Sequence, residues 1–223
     1  MLNMMNEKTL SGFRLEPIKD LGTLGTIGYE VLTVLPSGVC PELYFSNISS
    51  MDMISLFADQ VEYCLSTDSQ KKYFINLSVS VLANPVLCAS LPLVPDSHKI
   101  CIELQDPQNL RRMKRAECIS LEENVRDLRK KGYQVWLDDV TTSLVGLTSA
   151  LDIQFDGIKI DKSEILAPDS RPEELIALIK QCKKHTSQVL VEGIETRSLL
   201  DLCINAGAKM GQGYMWKKEM LFV

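Results

Sequence analysis

The chain has 223 residues, 45% of them hydrophobic and 24% charged, enough to bury a full core without disulfide or metal staples. Twenty-nine acidic against twenty-four basic side chains give a formal charge of −5, which argues against a polymeric nucleic-acid partner, because such a partner needs a basic surface. Seven cysteines without a C-x-x-C pair, two histidines, no signal-like N-terminus and no apolar run of the roughly 18 residues of a membrane span argue against a disulfide framework, a zinc site, a Ser-His-Asp triad and a membrane protein, and predict a cytoplasmic chain with free thiols.

Short apolar runs alternate with amphipathic segments. The first predicted strands are Phe13–Ile18 and Ile27–Val34. Eight residues separate them, Gly22 and Gly25 among them, whereas a parallel crossover needs about a dozen, so the two are expected to form an antiparallel hairpin. A helix follows over Met51–Leu65, with Ser49 or Ser50 as cap and Met53, Ile54, Phe57, Val61 and Cys64 at helical spacing; Met51 and Met53 read as packing residues. Strands are predicted at Tyr73–Val79 and Lys99–Leu104, and the basic cluster Arg111, Arg112, Lys114 and Arg115 reads as a solvated helix face. Next come a helix over Leu121–Lys131 stopping at Gly132, a strand over Tyr133–Asp138 with Trp136 packed inside or against a barrel, and a strand over Asp156–Ile160. Lys162–Glu164 reads as a loop, Pro172–Lys184 as a helix capped by Ser170, Gln188–Glu192 as a strand, Thr196–Asn205 as a helix ended by Gly207, and Ala208–Tyr214 as the last strand. The pattern predicts one α/β domain over 1–223, with a TIM-like (β/α)₈ barrel over about 13–214 whose first strand is antiparallel. An open doubly wound sheet is the runner-up, and it leaves the hairpin unexplained.

Nearly every strand ends in one polar residue: Glu30, Asn76, Glu103, the pair Asp138 and Asp139, Lys159, Glu192 and Gln212. In a parallel barrel these ends share the mouth that carries chemistry. Singly, each has a structural reading as a cap, surface ion pair or turn residue. Together, carboxylates and an amide at one mouth would repel one another without cations, and an all-oxygen donor set suits Mg²⁺ or Mn²⁺. Metal-assisted attack on a phosphodiester fits this set.

In this order the residues resemble the EAL-domain family of cyclic di-GMP phosphodiesterases. The resemblance runs through Leu15-Glu-Pro-Ile18, Gly28-Tyr-Glu-Val-Leu32, Asn76 in Ile-Asn-Leu-Ser, Glu103 in Ile-Glu-Leu-Gln-Asp, Leu137-Asp-Asp139, Lys159 twenty residues after Asp139, Val191-Glu-Gly-Ile-Glu-Thr196 and Gly211-Gln-Gly-Tyr214. It implies a barrel with a reversed first strand, and Glu30, Asn76, Glu103, Asp138, Asp139 and Glu192 as ligands of one or two Mg²⁺ or Mn²⁺ ions. It further implies Lys159, Glu30 and Glu195 as catalytic residues, Leu32 and Gln212 as substrate contacts, and Asp106 as the anchor of the loop after the Asp pair. The implied reaction is hydrolysis of cyclic di-GMP to linear pGpG, and a homodimer is allowed.

The chain departs from the family pattern at several points. Glu16 stands in place of Gln, Val34 where an arginine contacts substrate phosphate, Thr141 and Ser143 where the loop has glycines, and Asp106 where the anchor is Glu. The stretch between Glu30 and Asn76 is short, and no proline follows Tyr214. Two functions therefore stay open: a metal-dependent phosphodiesterase, or a weak or inactive EAL-like protein acting on a protein partner such as a flagellar transcription regulator. A cyclic di-GMP receptor without turnover lies between them.

Overall fold

The computed structural model describes residues 12–67, 70–146, 153–166 and 171–222. Eight strands, β1 (Gly12–Asp20), β2 (Thr26–Val34), β3 (Lys72–Ser78), β4 (Ile100–Gln105), β5 (Gln134–Val140), β6 (Gly157–Ile160), β7 (Val189–Val191) and β8 (Met210–Gly211), close into a barrel in sequence order. Strands β2 to β8 are mutually parallel, and β1 closes the ring antiparallel to both β2 and β8. This is the TIM-like barrel with a reversed first strand that the short β1–β2 connection demands. The Asp20 carboxylate shapes that turn by accepting from the backbone N–H groups of Gly22 (3.1 Å) and Thr23 (2.7 Å) and from the Thr23 hydroxyl (3.0 Å). A two-residue strand, β9 (Leu221–Phe222), adds antiparallel to Arg14 and Leu15 of β1, a pairing with no periodicity in the sequence to announce it.

The helices are α1 (Pro41–Asn47), α2 (Ser50–Ser66), α3 (Val79–Leu82), α4 (Pro85–Ala89), α5 (Arg115–Lys130), α6 (Ser163–Leu166), α7 (Pro172–Cys182) and α8 (Arg197–Ala206). Ser49 caps α2 by accepting from the Asp52 N–H, and Ile54, Phe57, Val61 and Cys64 form its buried stripe. Met51, in the first turn ahead of that stripe, is 57% exposed, so only Met53 of the two methionines packs. Strand β3 stops at Ser78, whose hydroxyl caps α3. Helix α5 starts six residues before the expected Leu121, where Glu117 accepts from the Lys114 N–H (2.7 Å). The expected Ser170 cap lies outside the described residues. Strand β8 is two residues long rather than seven, because the chain turns at Gly213 into a 3₁₀ segment over Tyr214–Glu219. Among the described residues no helix is long and apolar enough to cross a membrane.

Two cores result. The larger lies between the barrel wall and the helices and includes Phe57, Leu77, Ile102, Leu121, Ile158 and Ile179. The smaller plugs the barrel interior with Ile18, Phe74, Cys101, Trp136, Leu190 and Met210. Fully burying a side chain of this kind contributes about 1.5–3 kcal/mol. Trp136 packs edge-on against Phe74, with ring centroids 5.0 Å apart. Opposite it stands Gly157, where a Cβ would meet the indole at 2.4 Å, so the plug requires glycine there.

A carboxylate cluster at the barrel mouth

Strand side chains repeat their direction every two residues. Each member of the apolar plug therefore has a polar neighbour one layer nearer the mouth: Phe74 with Asn76, Cys101 with Glu103, Trp136 with Asp138, Leu190 with Glu192 and Met210 with Gln212. The two glycines of that layer, Gly28 and Gly157, precede Glu30 and Lys159 in the same way. In reversed β1 the order inverts, so that Glu16 lies toward the mouth from Ile18. The interior is thus an apolar floor under a polar ceiling.

Lys159 sits at the centre of that ceiling with no exposed surface. Its Nζ lies 2.9 Å from Glu103 Oε1, 2.9 Å from Glu192 Oε1, 3.2 Å from Asp138 Oδ1 and 3.6 Å from Glu30 Oε1. These are ion-pair contacts without good hydrogen-bond geometry: Lys159 Nζ, both Glu103 oxygens and Asn76 Oδ1 are buried with no hydrogen-bond partner. Gln212 Nε2 donates to Glu30 Oε2 (2.7 Å) and to Glu16 Oε2 (3.2 Å), and Asn76 Nδ2 lies 3.4 Å from Glu30 Oε1.

One ammonium cannot balance four carboxylates, and the protonation of the cluster reflects this. Burial, which outweighs the attraction of Lys159, drives the Glu103 carboxyl well above the usual range, Asp138 to about 6 and Glu192 to about 7. Asp139 also rises to about 6, through burial and then the nearby Glu192 and Asp161 charges. Glu30 goes the other way: burial opposes its charge, but Lys159 and the hydrogen bonds from Gln212 and Asn76 together hold it below the carboxylate range. Lys159 is raised well above its ordinary value, because its four carboxylates overcome the desolvation that disfavours its charge.

Two groups of carboxylates bring one oxygen each to within 4.8 Å of one another: Glu30, Glu103 and Asp138, and Asp139, Asp161 and Glu192. Orphaned buried oxygens in an all-oxygen donor set fit hard divalent cations. Asp161, which belongs to the second group, was not among the sequence candidates. Its signal was available, since it follows Lys159 by two residues and shares its face. The mouth opens into a cavity of about 510 Å³, lined by Leu32, Asp161, Glu192, Gln212 and, on its exposed rim, Glu195.

The loop after Asp139 is held differently from the sequence expectation. Asp106 accepts from Gln108 Nε2 (3.1 Å) and lines a neighbouring cavity of about 1050 Å³, which meets the mouth cavity at Gln105 and Asp139. Glu164 holds the loop instead, accepting from the Thr142 N–H (3.1 Å) and the Thr142 hydroxyl (2.6 Å), while Arg111 donates to the Ser143 carbonyl. Lys162–Glu164 is therefore not a free loop, for Ser163 begins α6. Nor is the basic cluster simply a solvated helix face: Arg111 reaches the loop, Arg112 lines the larger cavity and the Lys114 backbone N–H donates to Glu117 at the start of α5. Thr141 and Ser143 do not take the left-handed conformations that glycines would permit; Asp139 does, with φ of 51°. In Gly211-Gln-Gly213, a Cβ on Gly213 would lie 2.4 Å from the Ile194 backbone, so the flanking glycine lets the chain approach the β7 loop.

Comparison with known proteins agrees with this fold. The EAL domain profile matches residues 3–219. The chain is 29% identical over 107 residues, 47% of its length, to the probable cyclic di-GMP phosphodiesterase PdeG of Escherichia coli K12. That stretch is only 21% of PdeG, so the chain corresponds to a small part of this relative. Among solved structures, the PaMucR phosphodiesterase in complex with cyclic di-GMP superposes with a TM-score of 0.70 at 18% identity, covering 92% of this chain and 94% of the other. Klebsiella pneumoniae BlrP1 in a calcium and cyclic di-GMP complex superposes with a TM-score of 0.68 at 20% identity, covering 92% and 54%. With the profile spanning nearly the whole sequence, the chain belongs to the EAL-domain family.

Proposed function

We propose that this EAL domain is a metal-dependent phosphodiesterase that hydrolyses one phosphodiester of cyclic di-GMP to give linear pGpG. The observation that carries the reading is the pair of carboxylate groups at the floor of an open cavity, the first of them holding both unpaired buried oxygens of Glu103 beside the unpaired Asn76 Oδ1. Glu30, Asn76, Glu103 and Asp138 would hold one divalent ion, and Asp139, Asp161 and Glu192 a second, as Mg²⁺ or Mn²⁺. Such ions supply Lewis-acid stabilisation of a phosphoryl oxygen and make water nucleophilic near neutral pH.

The chain's own residues do the rest. Lys159 balances part of the carboxylate charge and offers N–H donors to orient the attacking water. Water adds to phosphorus, the bond to the 3′-oxygen breaks, and a proton reaches that oxygen. Gln212 fixes Glu30 and Glu16 through its amide, Leu32 contributes an apolar wall, and Glu195 stands at the rim to take a proton from water. Glu164 and Arg111 keep the loop that carries Asp139 in register. The reading includes a cytoplasmic location, in keeping with seven free thiols.

Incubating the purified protein with cyclic di-GMP and Mn²⁺ or Mg²⁺, beside a Glu30→Ala variant, tests this. Linear product from the wild type alone supports it, and no product with no binding by calorimetry refutes it. A second reading, binding of a protein partner such as a transcription regulator, draws on α1. None of the residues of that helix is buried, and it presents Leu43 at 66% exposure beside the larger cavity. A homodimer is open in either reading and is measured by light scattering.

A further inference from the structure

The mouth cavity is lined by seven carboxylates, from Glu16, Glu30, Asp138, Asp139, Asp161, Glu192 and Glu195. Against them, among the described residues, stand two cationic side chains, Arg14 and Lys162. A cyclic dinucleotide carries two anionic phosphodiesters. Cations held by the two carboxylate groups would answer the charge at the ester that is cut, but the other phosphate, across the ring, needs a positive partner of its own.

Arg14 is built for that task. It lies on β1 directly across from Leu32, beside the cavity, and its side chain is 40% exposed. Its Nη2 is 2.7 Å from Glu16 Oε1, and Glu16 Oε2 accepts from the Gln212 amide that also binds Glu30. The guanidinium is thereby tied to the Glu30 carboxylate through two side chains, Glu16 and Gln212. Its Nε is buried with no hydrogen-bond partner, so one donor of the fork is unused. A planar fork grips a phosphate bidentately at low ordering cost, whereas Lys162, exposed on a flexible stem, is a point charge. Val34, two residues beyond Leu32, lines neither cavity.

The geometry points to Arg14, braced by Glu16, as the residue that grips the uncleaved phosphate and selects dinucleotides over simple phosphodiesters. This rests on the phosphodiesterase reading. The test is steady-state hydrolysis of cyclic di-GMP and of bis(p-nitrophenyl) phosphate, which has a single phosphate, by wild type, Arg14→Ala and Arg14→Lys. Arg14→Ala is expected to raise KM for cyclic di-GMP by about 10- to 100-fold, the range for a lost charged hydrogen bond. Its kcat and its rate on the smaller ester should stay near wild type, with Arg14→Lys intermediate. An unchanged KM for cyclic di-GMP, or an equal loss on both substrates, overturns the assignment of Arg14 while leaving the phosphodiesterase reading intact. A wild type that neither binds nor cleaves cyclic di-GMP overturns that reading, and this assignment with it.

Discussion

Lys159→Met is the most searching perturbation of the mouth, because it removes the only cation within 3.6 Å of Glu30, Glu103, Asp138 and Glu192 among the described residues. Methionine matches the volume of the stem, so packing changes little. Removing one partner of a buried ion pair costs about 3–5 kcal/mol, because it leaves uncompensated charge. The carboxylates can escape that cost by taking up protons, and here the sign matters. Asp138 (about 6) and Glu192 (about 7) already have folded-state values raised above their ordinary ones. Their contribution to stability is therefore present below the unfolded-state value near 4 and is lost as pH rises through 6 to 7. Without Lys159 these values rise further, so the loss should be large at pH 8 and small at pH 5. Urea unfolding in chelator at the two pH values, repeated with Mn²⁺, reads this directly. We expect a wild-type-minus-variant difference of about 3–5 kcal/mol at pH 8 that shrinks at pH 5 and that saturating Mn²⁺ largely removes. An equal loss at both pH values, unaffected by metal, would refute the electrostatic account and leave only a packing role for Lys159.

Glu103→Gln removes a fully buried carboxyl whose two oxygens lack hydrogen bonds, so the metal-free protein should melt no lower than wild type at pH 8, while its Mn²⁺-induced rise in Tm in differential scanning fluorimetry shrinks to the part supplied by the Asp139, Asp161 and Glu192 group. Asp161→Asn should reduce Mn²⁺ stoichiometry from two to one in calorimetry and leave the Glu30 group loaded. Gly157→Ala drives a methyl into the Trp136 ring and should cost about 1–3 kcal/mol by overpacking, visible in urea unfolding and in the near-ultraviolet signal of the indole; an unchanged midpoint would contradict the packing described. Glu164→Ala deletes both bonds to Thr142 and should cost only about 1 kcal/mol of stability, yet lower kcat roughly tenfold or more by loosening the segment that carries Asp139.

What was legible in the sequence is what the period of two writes into it. A barrel strand that is apolar at one residue and polar two residues later, as with Trp136 and Asp138 or Phe74 and Asn76, states both its floor and its ceiling. The reversed first strand was legible because chain length forbids the alternative. The connections were not. Helix α1 buries no residue, and β9 is two residues long, so neither carries a hydrophobic pattern to read. The first turns of α5, Arg115 to Ser120, contribute nothing to its buried face, and the helix starts there because Glu117 caps it. The partners of the loop after Asp139 were hidden for the same reason. Asp106, Glu164 and Arg111 are all plausible partners in sequence, and only tertiary placement brings the last two onto Thr142 and Ser143.

The cluster also sets a direction for metal affinity. A fold that buries Glu103, Asp138 and Glu192 around one ammonium is held, without cations, partly by protons on those carboxyls. A divalent ion must displace those protons, so binding releases them, and apparent affinity should climb as pH rises through the 6 to 7 range in which Asp138 and Glu192 titrate. Were the same carboxylates exposed, they would already be ionised at pH 5, and affinity would be flat across that window. The apolar plug of Phe74, Trp136 and Leu190 directly beneath keeps water from solvating the carboxylates from below. The plug thus raises the proton affinity of the empty site and, by the same desolvation, strengthens the hold of its oxygens on a cation once protons have left. Floor and ceiling are consequently one device: replacing Trp136 or Phe74 with a small polar residue should weaken metal binding, although neither side chain offers an oxygen ligand.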